Sequence, residues 1–352
     1  MKLWSVVENN KPLECIEKPD PVPVGKQVLV EVTHCGVCHS DLHFVHGEFD
    51  LGGGQVLKIT DRGVTLPCAP GHEVVGRVVA LGPEAAGVAI GDERIVYPWV
   101  GCGTCELCQS DNENLCYQPR GIGVIQDGGF GSHLIVPDSS YLVPYGNVDP
   151  AVAATFACSG ITAYSAIRKL GKIDPEAPIL LVGAGGVGLV GLALLKALGH
   201  SNVIVADVSA EKRQGALEAG ASAVIDNSGD GAVERVLEAA GGLLQSAIDF
   251  VGLPVTVPFA LECLGKNGKL VLVGVGGGEI RLSLPSMIFR PRSIIGSITG
   301  SRQDLRDVVA LAQSGKFAPG PVTRMAKDQA NAALDKLSKG EVIGRIVLEG
   351  AA

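Results

Sequence analysis

The sequence predicts an α/β protein in which a β-rich domain stands beside a domain built on a doubly wound parallel sheet. The 352 residues exceed the length at which one hydrophobic core usually keeps growing, so we expect two domains. Short valine-rich runs bounded by turn residues fill the chain up to about residue 158 and indicate strands. From about Ile179, apolar strands alternate with helical patterns, which is typical of parallel βαβ units.

Each element of these two parts has its own signal. The clearest strands of the first part are QVLVEVTHCG, EVVGRVVALG and ERIVYPWV. In the second part, PILLVG leads through a glycine turn into a helix, and NVIVADV, AVIDN, SAIDFVG and GKLVLVGV continue the strand series. From about Ser301 the pattern predicts two helices, RQDLRDVVALAQSG and DQANAALDKLSKG, and a last strand, GRIVLE.

Composition and charge exclude several classes of protein. A hydrophobic fraction of 46% with 19% charged residues supports a packed core and argues against disorder. The net charge of −8 argues against nucleic-acid binding. The segment MKLWSVVENNKPLE lacks the apolar region and cleavage site of a signal peptide, and no uninterrupted apolar run is expected to span a bilayer. The ten cysteines are therefore expected to be metal ligands and free thiols in a cytoplasmic protein.

The segment GCGTCELCQSDNENLC, residues 101–116, carries the most specific motif. Its four cysteines are separated by two, two and seven residues: Cys102, Cys105, Cys108 and Cys116. Four thiolates at this spacing can close a tetrahedral shell around zinc. Such a shell has no open position, so this zinc would be structural. The alternative is a loop with four free cysteines.

Residues 183–188, GAGGVG, have the spacing G-x-G-x-x-G between a predicted strand and a predicted helix, which is the context of a dinucleotide site. Gly183 permits the tight turn, Gly185 lets the backbone approach a pyrophosphate, and Gly188 lets helix and strand pack closely. The helix N-terminus, with Gly186 and Val187, favours the phosphate charge.

Asp207 ends the next predicted strand, 19 residues after Gly188. A carboxylate there accepts hydrogen bonds from the ribose of NAD and repels the 2′-phosphate of NADP. Lys212 follows a little over one helical turn later and could reach the same ribose. The alternative is a glycine-rich turn with a helix-capping Asp207. Glycines in the range 274–278 form either a plain turn or a backbone edge that faces the nicotinamide.

A second set of possible metal ligands comprises Cys38, His43, His72 and Cys158. Beside a dinucleotide fold, a Cys and His set with an open position is the layout of metal-assisted hydride transfer. The motifs GVCHSDLH, GHE, the four-cysteine segment, GAGGVG with its downstream Asp, and GRIVL cover essentially the whole chain. In these motifs the sequence resembles the zinc-dependent alcohol dehydrogenases of the medium-chain dehydrogenase/reductase superfamily. The resemblance implies a GroES-like catalytic domain at residues 1–158 and 299–352 and a Rossmann NAD-binding domain at residues 159–298.

The resemblance also implies the ligands of a catalytic zinc. Cys38, His72 and Cys158 would hold the ion and leave a fourth position open. Glu73 would lie near the ion as an alternate or supporting ligand. Asp41 would hold the other imidazole nitrogen of His72 and fix its tautomer, unless it only caps a helix or turn. From the bare sequence, Cys158 could equally be a buried structural thiol.

The same resemblance assigns proton transfer and cofactor contacts. Ser40 would pass the proton of the alcohol to His43, which delivers it to solvent. His39 stands where many relatives carry a residue that contacts the pyrophosphate. Arg345 matches an arginine that reaches the cofactor phosphates and Glu73; a surface salt bridge is the alternative.

The substrate pocket implied by the resemblance is apolar, with Phe49, Trp99 and Val275 as its walls, and ordinary core packing is the alternative for each. The leading hypothesis is an NAD-dependent alcohol dehydrogenase with two zinc ions per subunit, one catalytic and one structural. It would transfer a hydride between NAD(H) and an apolar primary or secondary alcohol or the corresponding carbonyl compound. A polyol or sugar-derived alcohol dehydrogenase would need more polar pocket residues, and a non-catalytic NAD(H) sensor would be expected to lack a ligand or the relay.

One departure from the family is the link Gly52–Pro67, which is longer than usual and lies near the expected pocket mouth. Its Lys58, Asp61 and Arg62 either shape substrate choice away from simple ethanol-like alcohols or lie on the surface. The expected partners are a small-molecule alcohol or carbonyl substrate and further copies of the chain, with a homotetramer favoured over a dimer. No nucleic acid or membrane partner is expected.

Overall fold

The computed structural model describes residues 1–350 and contains one mostly antiparallel and one parallel sheet, which confirms the α/β fold class. The strands before the parallel sheet are β1 Lys2–Ser5, β2 Glu14–Glu17, β3 Val28–Val37, β4 Glu48–Gly52, β5 Gln55–Lys58, β6 Glu73–Leu81, β7 Glu93–Val96, β8 His133–Val136 and β9 Leu142–Val143. β1 pairs with β2, and β4 pairs with β5, as small antiparallel sheets of their own.

The parallel sheet has the architecture of a dinucleotide-binding fold. Its strands are β10 Ile179–Val182, β11 Val203–Ala206, β12 Ala223–Ile225, β13 Leu244–Asp249, β14 Leu264–Leu272 and β15 Arg292–Gly296. They lie in the order β12-β11-β10-β13-β14-β15. The order reverses between β10 and β13, which is where ligands bind in open parallel sheets. β10 and β11 are fully buried, as expected for strands covered on both faces.

The last two strands, β16 Val322–Ala326 and β17 Arg345–Glu349, return to the first sheet. That sheet has the order β16-β17-β3-β6-β7-β9, and β8 also pairs with β3. β17 runs antiparallel to β3, with Ile346 opposite Val37. The sheet around the candidate metal ligands therefore combines residues from both ends of the chain.

Helices cover the parallel sheet and connect the two sheets. In the described part of the chain they are α1 His39–His46, α2 Glu106–Gln109, α3 Pro150–Thr155, α4 Ile161–Leu170, α5 Gly186–Ala197, α6 Ala210–Glu218, α7 Ala232–Ala240, α8 Thr256–Glu262, α9 Leu284–Phe289, α10 Arg302–Gln313 and α11 Ala330–Ser338. The predicted helices after GAGGVG and after Ser301 correspond to α5 and α10.

Helices α3 and α4 are joined by a π turn, Phe156–Gly160, which is fully buried. The combined stretch Pro150–Leu170 is long and apolar enough to cross a membrane by length and composition, whereas the sequence was expected to contain no run that could span a bilayer. However, 72% of an apolar 18-residue part of this stretch is buried inside the protein, as in a core helix. π turns are rare and often occur at functional sites; this one carries Cys158.

The sequence pattern predicted five strands of the parallel sheet and missed the sixth, β15. Within the described residues this strand pairs only with β14, so it forms the edge of the sheet. Its residues are mostly half-buried or exposed, because one side of the strand has no neighbour. An edge strand of this kind lacks the continuous buried apolar run by which the other strands were recognised.

Candidate active site and cofactor site

Four buried side chains from separate parts of the chain converge at one point. Cys38 immediately precedes α1, Glu73 begins β6 with His72 just before it, and Cys158 lies in the π turn. One ligand atom from each side chain lies within 4.8 Å of every other. The two sulfur atoms are 3.9 Å apart. The structure thus brings together the sequence-predicted set, without His43.

Asp41 connects three of these segments. One carboxylate oxygen accepts a 2.8 Å hydrogen bond from the N–H of Cys38, as part of the capping box of α1. The other accepts a 3.2 Å bond from the N–H of Gly71 and lies 3.4 Å from Nδ1 of His72. Asp41 therefore caps the helix and also lies beside the imidazole, and its role in fixing the tautomer of His72 stays a prediction.

The cluster has the chemistry of a zinc site. Among the described residues, both ring nitrogens of His72 and Oε2 of Glu73 are buried without a hydrogen-bond partner, which is uncommon unless an ion or water satisfies them. Hydrogen bonding from Cys158 lowers the pKa of the Cys38 thiol, so one thiolate is already favoured. Burial raises the pKa of Glu73 to about 7, against the opposing effect of Arg345. Two thiols, an imidazole and a nearby carboxylate are ligands that zinc prefers.

Arg345 joins the cluster to the parallel sheet. It begins β17 and is 6% exposed, and its Nη2 forms an ion pair with Oε1 of Glu73. The Glu73 carboxylate raises the pKa of Arg345, although burial alone would lower it. A side chain added at Gly186 would lie 2.8 Å from Cδ of Arg345. The arginine is therefore a buried bridge between Glu73 and the glycine turn rather than a surface salt bridge.

The glycine turn has three distinct environments. Gly183 has φ +95°, a conformation that favours glycine. A Cβ on Gly188 would lie 1.9 Å from the carbonyl oxygen of Gly183, so helix and strand approach each other closely there. A Cβ on Gly185 would meet nothing within 4 Å in the described part of the chain, and this open space lies at the start of α5. Val187 lies in the first turn of the same helix, whose N-terminus is an anion-binding position.

Asp207 directly follows β11, beside this turn. Its carboxylate accepts 2.8 Å hydrogen bonds from the N–H groups of Ala184 and Ser209. Arg213 donates to the Asp207 carbonyl oxygen at 2.8 Å and pairs with Asp226 at 3.1 Å. Lys212 lies in the first turn of α6, where its N–H is capped by Ser209.

The predicted relay and pocket residues lie around α1 and the cluster. Oγ of Ser40 is 3.8 Å from the sulfur of Cys38. The ring of Phe49 stacks on that of His43 at 4.8 Å, while Trp99 lies 5.3 Å from the His72 ring and donates to the Ala157 carbonyl at 2.9 Å.

Phe49 and Trp99 are thus fixed by neighbours in the site, and Val275 is more than half exposed in the loop after β14. Burial lowers the pKa of both His39 and His43, which lie on the same helix.

The long link after β4 folds back on the parallel-sheet side, which the sequence did not indicate. Residues in the range 48–58 form the β4–β5 hairpin, and Ile59–Arg62 forms a 3₁₀ helix. A Cβ on Gly52 would lie 2.8 Å from the carbonyl carbon and oxygen of Gly278. The hairpin therefore touches the loop that carries Val275. No local sequence signal marks a contact between positions so far apart.

The four-cysteine segment forms a second cluster. Its ligand sulfurs all lie within 4.8 Å of one another, with Cys105 3.5 Å from Cys108 and 3.8 Å from Cys116. A tetrahedral zinc with Zn–S bonds of about 2.3 Å requires sulfur separations of about 3.8 Å. Backbone N–H groups point at the sulfurs of Cys102 and Cys116, as expected for thiolates. A Cβ on Gly101 would lie 2.4 Å from the sulfur of Cys108, so the shell fits only around glycine.

Comparisons with known proteins agree with this geometry. Residues 25–147 match the alcohol dehydrogenase GroES-like domain, and residues 186–314 match the zinc-binding dehydrogenase family. The chain is 35% identical over 350 residues to an NAD-dependent alcohol dehydrogenase of Sulfurisphaera tokodaii, covering 99% of each protein.

Two solved structures extend the likeness to the fold. The alcohol dehydrogenase of Aeropyrum pernix superposes with a TM-score of 0.88 at 32% identity, covering 99% of this chain and 100% of that one. The D-arabinose dehydrogenase of Sulfolobus solfataricus gives a TM-score of 0.81 at 29% identity over 96% of each chain. The full-length likeness, together with the two converging clusters, shows that the chain is an enzyme and belongs to the zinc-dependent alcohol dehydrogenases of the medium-chain dehydrogenase/reductase superfamily.

Proposed function

We propose that the chain transfers a hydride between NAD(H) and an apolar primary or secondary alcohol, or the corresponding aldehyde or ketone. The observation that carries this proposal is the buried convergence of Cys38, His72, Glu73 and Cys158, linked by Arg345 to the glycine turn. A hydride acceptor bound at that turn and a substrate at the cluster would share one cleft.

Two zinc ions per chain fit the two clusters. Cys38, His72 and Cys158, with Glu73 beside them, would hold the catalytic ion, and the sulfurs of Cys102, Cys105, Cys108 and Cys116 the structural one. When bound, the catalytic ion supplies a Lewis acid that polarises a carbonyl and lowers the pKa of an alcohol. Metal analysis of purified protein should give two zinc per chain, and a Cys105→Ser variant should retain one.

The protein's own groups would then manage the proton. Ser40 lies beside Cys38, so its hydroxyl is placed to accept the proton of an alcohol at the cluster. His43, one turn further along α1, would release that proton to solvent. Burial lowers the pKa of His43, which favours the neutral imidazole that this role requires.

NAD would lie across the switch point of the parallel sheet. Gly183, Gly185, Gly186, Val187 and Gly188 would hold the pyrophosphate at the N-terminus of α5. The remaining contacts would come from residues around that turn and the nicotinamide: Asp207 and Lys212 on the ribose, His39 and Arg345 on the phosphates, and Val275 at the nicotinamide.

The decisive test is NAD-dependent oxidation by zinc-loaded protein across short primary, secondary, allylic, benzylic and cyclic alcohols, with NADP in parallel. The aromatic walls Phe49 and Trp99 lead us to expect turnover of one apolar class with NAD. A second candidate substrate class, polyols and sugars, is favoured by the likeness to a D-arabinose dehydrogenase. Turnover of sugars but not of apolar alcohols would replace the first assignment, and no turnover of any alcohol would remove both.

We further propose that residues 1–158 and 299–352 form the catalytic domain and residues 159–298 the cofactor domain. The return of β16 and β17 to the first sheet supports this division. We also propose a cytoplasmic location and a homo-oligomer, with a tetramer favoured over a dimer. The free edge of β15 and the exposed apolar side chains of α9 support the oligomer: Leu284, Ile288 and Phe289. Size-exclusion chromatography with light scattering tests the oligomeric state.

A further inference from the structure

Arg302 connects the four-cysteine segment to the place where the chain leaves the parallel sheet. It is the first residue of α10, a few residues after β15 ends at Gly296. Its Nη2 forms an ion pair with Oε1 of Glu113 and lies 2.8 Å from Oδ1 of Asp111. Both acids lie between Cys108 and Cys116, so they are held in place by the same shell that the cysteines form.

This ion pair is shielded rather than exposed. The side chain of Arg302 is 15% exposed and that of Glu113 is 3% exposed. The guanidinium carbon lies 5.1 Å above the ring of Tyr141, which adds a cation–π contact. Removing one partner of a buried pair leaves the other charge uncompensated, so the pairing is costly to break.

Two further hydrogen bonds reach the same crossing segment. The side-chain amide of Asn114 donates to the carbonyl oxygen of Ile298 at 3.2 Å. The hydroxyl of Tyr97 donates to the carbonyl oxygen of Gly300 at 2.8 Å, and its ring stacks with that of Tyr141 at 6.2 Å. Residues 298–302 are therefore fixed to the four-cysteine segment and its neighbours at several points.

The opposite side of residues 298–302 packs against the π turn and the residue that follows it. A Cβ on Gly300 would lie 2.7 Å from the carbonyl oxygen of Ile161, the residue that follows the turn. A Cβ on Gly160, inside the turn, would lie 3.2 Å from Cγ1 of Val308 on α10. The segment that leaves the parallel sheet, residues 298–302, and the segment that enters it, which contains the π turn, therefore touch each other. The π turn carries Cys158.

We propose that the four-cysteine segment anchors the junction at which residues 298–302 pack against the π turn carrying Cys158. Arg302 is the positioning residue through which the segment holds this junction in place. The expected effect on NADH binding rests on the proposed function, whereas the expected effects on hydrogen exchange and zinc content do not. A rigid junction sets how the cofactor-binding sheet stands relative to the metal ligands. Arg302 touches neither substrate nor cofactor in this assignment.

The experiment uses zinc-loaded full-length protein with Arg302→Gln. Arg306→Gln is the matched control, because Arg306 lies about one turn further along α10, is exposed and bonds only to Gln303, at 3.4 Å, among the described residues. We measure zinc content, hydrogen exchange by mass spectrometry in segments 156–161 and 297–304, and the Kd of NADH. Arg302→Lys keeps the charge but has no fork to span both acids.

The expected result is two zinc per chain in every variant, with amide exchange in both segments at least about fivefold faster in Arg302→Gln and near wild type in Arg306→Gln. NADH binding should weaken about three- to tenfold, with Arg302→Lys intermediate. Glu113→Gln removes the other charge of the ion pair and should have the same effect. It replaces Arg302→Gln if that variant does not fold.

Unchanged exchange in 156–161, despite faster exchange in 297–304, would overturn the proposal, as would an equal effect of Arg306→Gln. Loss of the structural zinc from Arg302→Gln would also overturn it, because the arginine would then support the metal shell instead of transmitting from it. Exchange and zinc content are measured without turnover, so failure of the proposed enzymatic function would be seen separately.

Discussion

Asp207 accepts a 2.8 Å hydrogen bond from the backbone N–H of Ala184, so the acidic residue after β11 is tied directly to the glycine turn after β10. The carboxylate is consequently held in one position before any cofactor arrives. A preset negative charge at this point would reject a 2′-phosphate by repulsion without the need for a steric block.

Replacing Asp207 with Asn tests this charge with little change of shape. We expect kcat/KM with NADP to rise and the preference for NAD to fall by about tenfold or more, since roughly 1.4 kcal/mol corresponds to tenfold. Steady-state kinetics with both cofactors gives the ratio. An unchanged ratio would show that something other than the Asp207 charge excludes NADP.

The relay assignment predicts a pH-dependent defect in His43→Gln. At neutral pH we expect kcat for alcohol oxidation to fall about 10²-fold, because no group then carries the proton to solvent. The loss should shrink at higher pH, where hydroxide accepts the proton directly. His46→Gln is the control, since His46 lies exposed near the end of the same helix. A defect of equal size at all pH values would argue for a structural role.

The contact between the hairpin and the cofactor side can be tested with two matched glycines. Gly52 has φ +79° and Gly54 has φ +74°, so alanine suffers similar backbone strain at either position. Only Gly52 faces another segment, the backbone of Gly278. We expect Gly54→Ala to cost about 1 kcal/mol of stability, and Gly52→Ala to cost about 1–3 kcal/mol more and to raise KM for NAD.

Denaturant unfolding and NAD kinetics of these two variants are the measurements. Equal stability and equal KM would mean that the hairpin and the loop do not press on each other in solution.

Lys327 predicts an unusual alkaline stability profile. Its buried Nζ donates to the carbonyl oxygens of Val32 at 2.5 Å and Gly131 at 3.2 Å, where β3 changes partner from β17 to β8. Burial lowers the pKa of Lys327 to about 8, whereas the pKa of a lysine in an unfolded chain is about 10.4. Between these values the unfolded state binds more protons, so the free energy of unfolding should rise with pH.

The control for this profile is Lys327→Met, which has no titrating group. Urea unfolding should be measured at several pH values from about 8 to 10. Over this range the free energy of unfolding of the wild type should rise by about 1–3 kcal/mol relative to that of the variant. A constant difference would mean that Lys327 titrates normally in the folded protein.

Sequence patterns predicted the chemical groups of the site better than the contacts that hold these groups in place. The spacing of Cys102, Cys105, Cys108 and Cys116 is local, so a short stretch of chain is enough to indicate a metal shell. The glycine turn and Asp207 are similarly separated by a single helix. The family, the fold class and the enzyme class are confirmed by the comparisons, while the individual residue roles stay predictions.

What the sequence could not indicate depends on contacts between distant positions. Arg302 reads as an ordinary first residue of an amphipathic helix, and only the fold places Glu113 beside it. The contact of Gly52 with Gly278 and the burial of Lys327 have the same origin. β15 was missed because an edge strand lacks the apolar run that marks its neighbours.

The pairing of β17 with β3 has a consequence for biosynthesis. Arg345, the partner of Glu73, leaves the ribosome long after Cys38, His72 and Cys158. The parallel sheet between them can fold while synthesis continues, since domains generally fold as units. The nascent chain must therefore hold its early thiols and Glu73 in an incomplete sheet until the final strand arrives. Metal loading of this site is accordingly expected only after β17 has emerged, whereas the four-cysteine segment contains all its ligands within one short stretch and can bind zinc much earlier in translation.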